Sequence, residues 1–186
     1  GKLSGGMKQK LALCCALIHK PDVLFLDEPT TGVDVVSRKE FWEMLHRLKA
    51  ENITIVVSTP YMDEANMCDR IALIQAGRML IIDKPESIVQ SFPKPLYAAK
   101  ATDIYHLLRG LQSEEEVESC YAFGEYLHLT LVSENKSEGW IKERAAKYNA
   151  RGLEVKRITP TIEDSFMRLM REQLSSSQLN TFANGK

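Results

Sequence analysis

The chain of 186 residues has no marked excess of either charge, with 24 basic and 25 acidic side chains and a formal net charge of −1. Proteins that bind nucleic acid or anionic lipid through their charge carry a surplus of lysine and arginine. The balance therefore argues against a nucleic-acid partner and against a basic membrane-binding face. The composition, 44% hydrophobic and 26% charged, is ordinary for a globular protein.

Long apolar segments are also missing from the sequence. The longest apolar run extends from Leu11 to Ile18 and is far shorter than the roughly 20 residues that cross a bilayer. The polar start, residues 1–10, does not have the pattern of a signal peptide. We therefore expect a cytoplasmic protein that reaches a membrane through a partner.

The four cysteines form no CxxC pair and no spacing with histidine that is typical of zinc sites. This pattern predicts reduced thiols in a cytosolic protein. Cys14 and Cys15 lie within an apolar helical segment, which predicts that both are buried in a core.

Helices and strands alternate through the first half of the chain. Its predicted elements are a helix from the glycine pair to about His19, a strand Val23–Leu26, a helix Ser37–Ala50, a strand Ile53–Val57, a short helix Met62–Cys68 and a hairpin around Gly77. This order predicts an α/β domain with a mostly parallel sheet. Continuously apolar strands predict a sheet that is covered on both faces.

Two prolines, Pro93 and Pro95, mark a change along the chain, and we predict a linker at residues 91–95 between domains at 1–90 and 96–173. The second domain is predicted to run strand, helix, two strands around Gly124, helix, strand and helix. This order is typical of a ferredoxin-like α+β module. The polar tail, residues 174–186, is predicted to be disordered.

The first motif is Ser4-Gly5-Gly6, which opens the first helix and is followed by Gln9. Exposed backbone N–H groups and the positive end of the helix dipole favour an anion such as a phosphate. The alternative is a glycine-rich helix start, capped by Ser4, that binds no ligand.

The second motif is the pair Asp27-Glu28, directly after a buried strand. Ligands of open α/β sheets bind beyond the carboxyl ends of strands. One carboxylate there can hold Mg²⁺, and the other can orient a water molecule for phosphoryl transfer. Alternatively, the two acids cap the helix that follows.

The segments LSGGMKQ, DEPTTGVD and STPYMDEA at residues 3–9, 27–34 and 58–65 together closely resemble the core of ABC ATPases. The resemblance covers about half of the chain and implies ATP and Mg²⁺ as ligands. It also implies a head-to-tail dimer, with a second ATPase subunit, that drives a membrane permease. The segment Thr159–Phe166 resembles the ending of drug-export (ABC-2) subunits; otherwise it is a helix opened by Thr159 or Thr161.

The resemblance assigns roles to individual positions. It implies that Ser4, Gly5, Gly6 and Gln9 contact ATP bound to the opposite subunit. Asp27 corresponds to the residue near Mg²⁺, and Glu28 corresponds to the catalytic glutamate. Gly32 and Asp34 correspond to the D-loop, which crosses the dimer interface.

The sequence departs from the family at two points. No GxxxxGK[ST] segment, which holds the β- and γ-phosphates in the family, is present. We therefore expect this chain to be the C-terminal part of an ATP-binding subunit, inactive alone. Pro60 stands where the family has a histidine that reaches the γ-phosphate, and proline has no side-chain donor. Two alternatives therefore stay open: a degenerate half that completes a partner's ATP site, and a non-transport ABC ATPase.

Overall fold

The computed structural model describes residues 3–133 and 135–183, and the side chains among them as far as residue 174. The chain divides into two compact units, Gly1–Asp69 and Arg70–Lys186. Both units mix helices with small sheets, which confirms a mixed α/β protein. No helix within 3–133 and 135–183 combines the length and the apolar character that a membrane span requires.

The first unit is built on a parallel pair of strands. Strand β1 (Val23–Asp27) pairs with β2 (Thr54–Ser58), and Asp27 lies opposite Ser58 at the ends of the two strands. Helices α1 (Gly5–Leu17), α2 (Val35–Ala50) and α3 (Met62–Ala65) complete the unit. The core side chains are Leu13, Leu24, Phe41, Trp42 and Leu45.

The β1–β2 sheet buries one face and exposes the other among the described residues. Leu24 is 5% exposed, whereas its neighbour Phe25 is 75% exposed and Val56 is 47% exposed. Successive side chains of a strand point to opposite faces, so continuously apolar strands present an apolar face on each side. The prediction of a sheet covered on both faces is not met within this chain.

The prediction that Cys14 and Cys15 are buried is wrong, since both are exposed. Helix α1 buries Gly6 and Leu13, which are seven residues apart and therefore share one side of the helix. The cysteines follow Leu13 by about one and two steps of 100° and point away from that side.

The second unit begins with the predicted hairpin. Strands β3 (Ile71–Gln75) and β4 (Arg78–Asp83) are antiparallel, and the turn residues Ala76 and Gly77 have φ of 48° and 72°. Helix α4 (Pro85–Gln90) follows and was not predicted. Pro85 could have indicated its start, because proline is favoured in the first turn of a helix.

A four-stranded antiparallel sheet with the order β6-β7-β5-β8 forms the rest of this unit. Its strands are β5 (Leu96–Lys100), β6 (Val117–Phe123), β7 (Tyr126–Leu131) and β8 (Glu154–Ile158). Helices α5 (Ile104–Gln112) and α6 (Glu138–Lys147) pack with this sheet around Leu107, Leu127, Leu129 and Ile141.

The last helix, α7 (Ile162–Ala183), extends further than the predicted end at Gln173. The helix therefore includes most of the tail that was predicted to be disordered, residues 174–186. No glycine or proline interrupts 174–183. The last three residues of the tail, 184–186, lie outside the described part. Helix α4 packs on α7, and the Ser165 hydroxyl donates to the Ile88 carbonyl at 3.4 Å. Helix α4 and the β3–β4 hairpin are thus grouped with the second compact unit, and the linker at 91–95 stays a prediction.

Candidate functional site

The second sequence motif lies at the joined ends of β1 and β2. The Ser58 hydroxyl donates a hydrogen bond to Asp27 Oδ1, and the Glu28 N–H donates to the Ser58 carbonyl at 2.9 Å. Asp27 and Glu28 are both exposed. The end of the strand pair therefore presents two adjacent carboxylates to solvent.

Glu28 has a left-handed backbone, with φ of 42°. This conformation costs a residue other than glycine about 1–2 kcal/mol. The Thr31 hydroxyl donates to Glu28 Oε2 at 3.0 Å, and the Thr31 N–H donates to the Glu28 carbonyl at 3.1 Å. A tight turn therefore holds Glu28 beyond the end of β1.

The alternative in which these acids cap the following helix is wrong. Helix α2 begins at Val35, and its N-cap is Asp34, whose carboxylate accepts a hydrogen bond from the Ser37 N–H at 2.9 Å. Hydrogen bonds from the backbone and the side chain of Ser37 lower the pKa of Asp34. The Asp27-Glu28 pair is consequently free of a helix-capping role.

The first motif opens α1 as predicted. Ser4 is its N-cap, and the Ser4 hydroxyl accepts a hydrogen bond from the Met7 N–H at 3.2 Å. Gln9 is half-buried on the same helix. The prediction that Ser4 caps this helix is thus confirmed.

The two glycines of this motif pack against the start of α2 and the loop before it. A Cβ at Gly6 would lie 2.6 Å from the Cβ of Ser37, and a Cβ at Gly5 would lie 3.3 Å from the Gly32 carbonyl oxygen. Gly32 itself has φ of 72° and open space around it. The structure therefore brings the first motif together with the Gly32–Asp34 segment.

A buried carboxylate that the sequence pattern did not indicate lies behind the strand ends. Glu64 is 0% exposed and accepts hydrogen bonds from the hydroxyls of Thr30 at 2.7 Å and Thr59 at 2.6 Å. The Nε of Arg38 lies 3.7 Å from Glu64 Oε1, and the guanidinium lies 4.4 Å from the centre of the Tyr61 ring. Thr30, Thr59 and Glu64 all lie within the motif segments at residues 27–34 and 58–65, but nothing in those segments indicated that the three side chains meet.

Pro60 is exposed and immediately follows Thr59. The Tyr61 N–H donates to the Thr59 hydroxyl at 3.1 Å, which shapes the turn into α3. His19 and His46 are exposed on other elements of the unit. The proline ring gives this loop no side-chain donor.

The strand ends fit a magnesium ion that is held jointly with a phosphate ligand. Mg²⁺ is usually bound through one or two carboxylates, several waters and substrate phosphates. The exposed Asp27 carboxylate, with Ser58 beside it, meets that description. Within residues 3–133 and 135–183, no group of three histidine, cysteine or acidic side chains could enclose a metal by itself.

The second unit contains a buried carboxylate of a different kind. Asp164 is 0% exposed and accepts hydrogen bonds from Tyr121 at 2.6 Å, from His128 at 2.7 Å and from the N–H and hydroxyl of Thr161 at 2.7 and 2.8 Å. The Asp164 N–H in turn donates to the Thr161 hydroxyl at 3.3 Å. This is a capping box, so Thr161, not Thr159, opens α7.

The acid–base properties of this cluster follow from its hydrogen bonds. Burial by itself would raise the pKa of Asp164, but hydrogen bonds from His128, Tyr121 and Thr161 outweigh burial and lower the pKa. Burial and the Asp164 hydrogen bond raise the pKa of Tyr121 far above its usual value. The cluster thus keeps an ionised acid in the buried first turn of α7 and has the features of a structural anchor.

Comparison with known proteins adds independent information. The family model described as ABC transporter matches residues 1–31. The probable multidrug ABC transporter ATP-binding protein YbhF of Escherichia coli is 50% identical over 91 residues, which are 49% of this chain and 16% of that protein. The Nod factor export ATP-binding protein I of Burkholderia orbicola is 47% identical over 92 residues, which are 49% of this chain and 30% of that protein.

The similarity to a third relative extends into the second unit. The Nod factor export ATP-binding protein I of a Rhizobium species is 33% identical over 174 residues, which are 91% of this chain and 54% of that protein. The chain thus spans between 16% and 54% of the lengths of these relatives. The family model and these relatives together support an ABC transporter ATP-binding subunit.

Proposed function

We propose that the natural protein binds and hydrolyses ATP as a subunit of an ABC-type membrane exporter. The observation that carries this proposal is the exposed Asp27-Glu28 pair at the joined ends of β1 and β2, where no helix uses either acid as a cap. The relatives named for multidrug transport and Nod factor export support transport over a role in translation or DNA repair.

In this proposal the two acids have different tasks. Asp27 would hold Mg²⁺, directly or through water, and the metal would neutralise charge on the phosphates. Glu28 would accept a hydrogen bond from the attacking water and orient it toward the γ-phosphate. The turn through Thr31 supports the second task, because it keeps the Glu28 carboxylate near the strand end.

The start of α1 would complete the site of a second subunit. Its free N–H groups and the helix dipole suit a phosphate, and the candidate contacts are Ser4, Gly5, Gly6 and Gln9. The neighbouring segment Gly32–Asp34 would lie at the interface of a head-to-tail dimer. Packing between Gly5 and Gly32 supports this, because both predicted interface elements then share one surface.

The architecture that fits this role has two parts. The β1–β2 pair would belong to a mostly parallel sheet of an ATPase domain that continues to residue 90. Residues 96–173 would form a ferredoxin-like module, since the strand order β6-β7-β5-β8 with two connecting helices is compatible with a split βαβ pattern. The module would serve regulation or subunit contacts.

The partners of the natural protein would be a second ATPase subunit and a membrane permease, with no nucleic acid. ATP-driven closure of the dimer would be coupled to the permease on the cytoplasmic side of the membrane. The balanced charge of the chain is compatible with docking through protein contacts.

A second candidate function is a degenerate ATPase half that completes its partner's site without hydrolysing ATP. Pro60 favours it, because the loop after β2 has no side-chain donor at that position. Loss of one donor of this kind lowers turnover on the order of 100-fold. In a natural protein of this type, Pro60→His is expected to raise turnover.

The experiment that tests the proposal measures ATP hydrolysis by the natural protein reconstituted with its permease. Glu28→Gln is expected to lower kcat by on the order of 100-fold or more while ATP still binds. Glu51→Gln, an exposed acid at the end of α2, is the matched control and should leave turnover unchanged. Equal turnover in the Glu28 variant and the wild type would contradict the proposal.

The chain of 186 residues alone is expected neither to bind ATP tightly nor to hydrolyse it. Titration calorimetry with Mg-ATP tests this expectation, and micromolar affinity would contradict it.

A further inference from the structure

We infer that Glu64 is a positioning residue, which fixes the loop carrying Glu28 against the loop carrying Pro60. Its carboxylate is 0% exposed, and each of its two oxygens accepts a hydroxyl hydrogen bond from a different loop. Thr30, on Oε1, lies two residues after Glu28. Thr59, on Oε2, lies directly before Pro60.

The position of Glu64 explains why one side chain can hold both loops. It sits on the short helix α3, immediately after the loop that follows β2. Thr30 is 1% exposed, so its hydroxyl has no access to water and depends on Glu64. Glu64→Gln leaves one acceptor oxygen for two donating hydroxyls, so Thr30 or Thr59 loses its acceptor. A hydroxyl left unsatisfied in the interior would force its loop to move to rehydrate it.

Arg38 provides the counter-charge for this buried acid. Its Nε lies 3.7 Å from Glu64 Oε1, its Nη1 lies 3.5 Å from Asp63 Oδ2, and its guanidinium covers the ring of Tyr61. Arg38 belongs to the first turns of α2, directly after the Gly32–Asp34 segment. Glu64 thus links the two loops to α2, the helix that follows the first of them.

The consequence for the reaction rests on the proposed function. The Glu28 turn is closed by hydrogen bonds from the backbone N–H groups of Glu28, Thr31 and Val33. If Thr30 is released from Glu64, this turn loses its anchor on the side away from solvent. A displaced Glu28 carboxylate orients water poorly, even though no contact to a nucleotide has been removed.

The first test is amide hydrogen exchange of the 186-residue chain, which needs no nucleotide. Glu64→Gln is expected to speed exchange at the amides of Glu28, Thr31 and Val33 about tenfold. The Thr54 amide, which is bonded to the Asp22 carbonyl, should stay within twofold. Asp63→Asn is the matched control, because it removes a neighbouring acid that also faces Arg38 but is exposed.

Unchanged exchange at the three turn amides, or equal acceleration throughout the first unit, would overturn the inference. Acceleration by Asp63→Asn equal to that by Glu64→Gln would also overturn it. If Glu64→Gln does not fold, Thr59→Val is measured instead, and at least threefold acceleration is expected at the same amides. No acceleration in that folded variant would equally overturn the inference.

The second test measures hydrolysis by the natural protein with its permease. Glu64→Gln is expected to lower kcat on the order of tenfold with the KM for ATP within twofold, and Glu64→Asp should recover part of the loss. A raised KM with normal kcat would contradict a positioning role. If the wild-type protein does not hydrolyse ATP, the proposed function fails, and the exchange experiment still decides the role of Glu64.

Discussion

Replacement of Asp164 by alanine is expected to destabilise the second unit by about 3–5 kcal/mol. The carboxylate accepts four hydrogen bonds from Tyr121, His128 and Thr161. An ionised carboxylate can only accept, so His128 donates through Nδ1. His128 is 6% exposed and Tyr121 is half-buried, so the two donors that remain have little access to water.

The magnitude follows from these contacts. Leaving two buried donors unpaired costs about 1–3 kcal/mol each, and loss of the capping interaction at Thr161 adds about 1 kcal/mol. Relaxation of the cluster and entry of water recover part of this cost, which brings the expected destabilisation to about 3–5 kcal/mol. Alanine also leaves a small void beneath α7, next to the buried Ser165.

The assay is urea unfolding of the full chain, followed by the fluorescence of Trp140 in a Trp42→Phe background. Trp42 is buried, and its Nε1 has no hydrogen-bond partner among the described residues, so this background loses no hydrogen bond. Asp103→Ala is the matched control. Asp103 caps α5 through the His106 N–H but is exposed, and its loss should cost about 1 kcal/mol.

Equal destabilisation by Asp164→Ala and Asp103→Ala would show that the unpaired buried donors add no cost beyond the loss of a helix cap, and would refute the prediction. Tyr121→Phe separates the contributions, since it removes one donor and leaves the carboxylate paired with His128 and Thr161. It should cost about 1 kcal/mol. A Tyr121→Phe effect as large as that of Asp164→Ala would show that the hydrogen bond from the Tyr121 hydroxyl carries most of the energy, because phenylalanine keeps the packing of the ring.

Three further predictions use the same chain. The pKa of Asp164 is lower in the folded state than its usual 3.8. The stabilisation that its ionised form provides is therefore complete above about pH 5 and is lost as pH falls through the folded pKa. In Asp164→Asn, the free energy of unfolding should fall less steeply over this acid range. Burial raises the pKa of Cys120 to about 12, so alkylation at pH 8, followed by mass spectrometry, should modify the exposed Cys14 and Cys15 first and Cys120 last; equal rates would contradict the fold. Gly6→Ala should cost about 1–3 kcal/mol in urea unfolding through its clash with Ser37, whereas Gly139→Ala, which meets nothing nearer than 3.7 Å, should be neutral or stabilising.

Local patterns in the sequence predicted most of the helices and strands. The β1 and β2 segments, the hairpin at Gly77 and the four strands of the second sheet all lie where apolar periodicity and turn residues indicated. Helix α4 was missed, because a six-residue helix carries too few periodic positions to stand out. The end of α7 was missed because polar residues without glycine or proline do not themselves terminate a helix.

Burial was harder to predict than secondary structure. An apolar run such as the one that contains Cys14 and Cys15 does not indicate which side of its helix packs against other elements. Likewise, alternation along β1 leaves Phe25 on the exposed face, although its strand is apolar throughout. Burial of Glu64 depends on Thr30, which is 34 residues away, and a contact of that range leaves no local pattern.

The site residues differ in how far the fold alone accounts for them. Gly6 would be needed for the close contact with Ser37 with or without a phosphate, and Ser4 and Asp34 serve as helix caps. Asp27 and Glu28 are different, since both are exposed at the end of β1, and the left-handed backbone of Glu28 costs energy that glycine would avoid. The fold alone therefore does not account for a glutamate at that position, which is why the proposed function rests on this pair and not on the glycines.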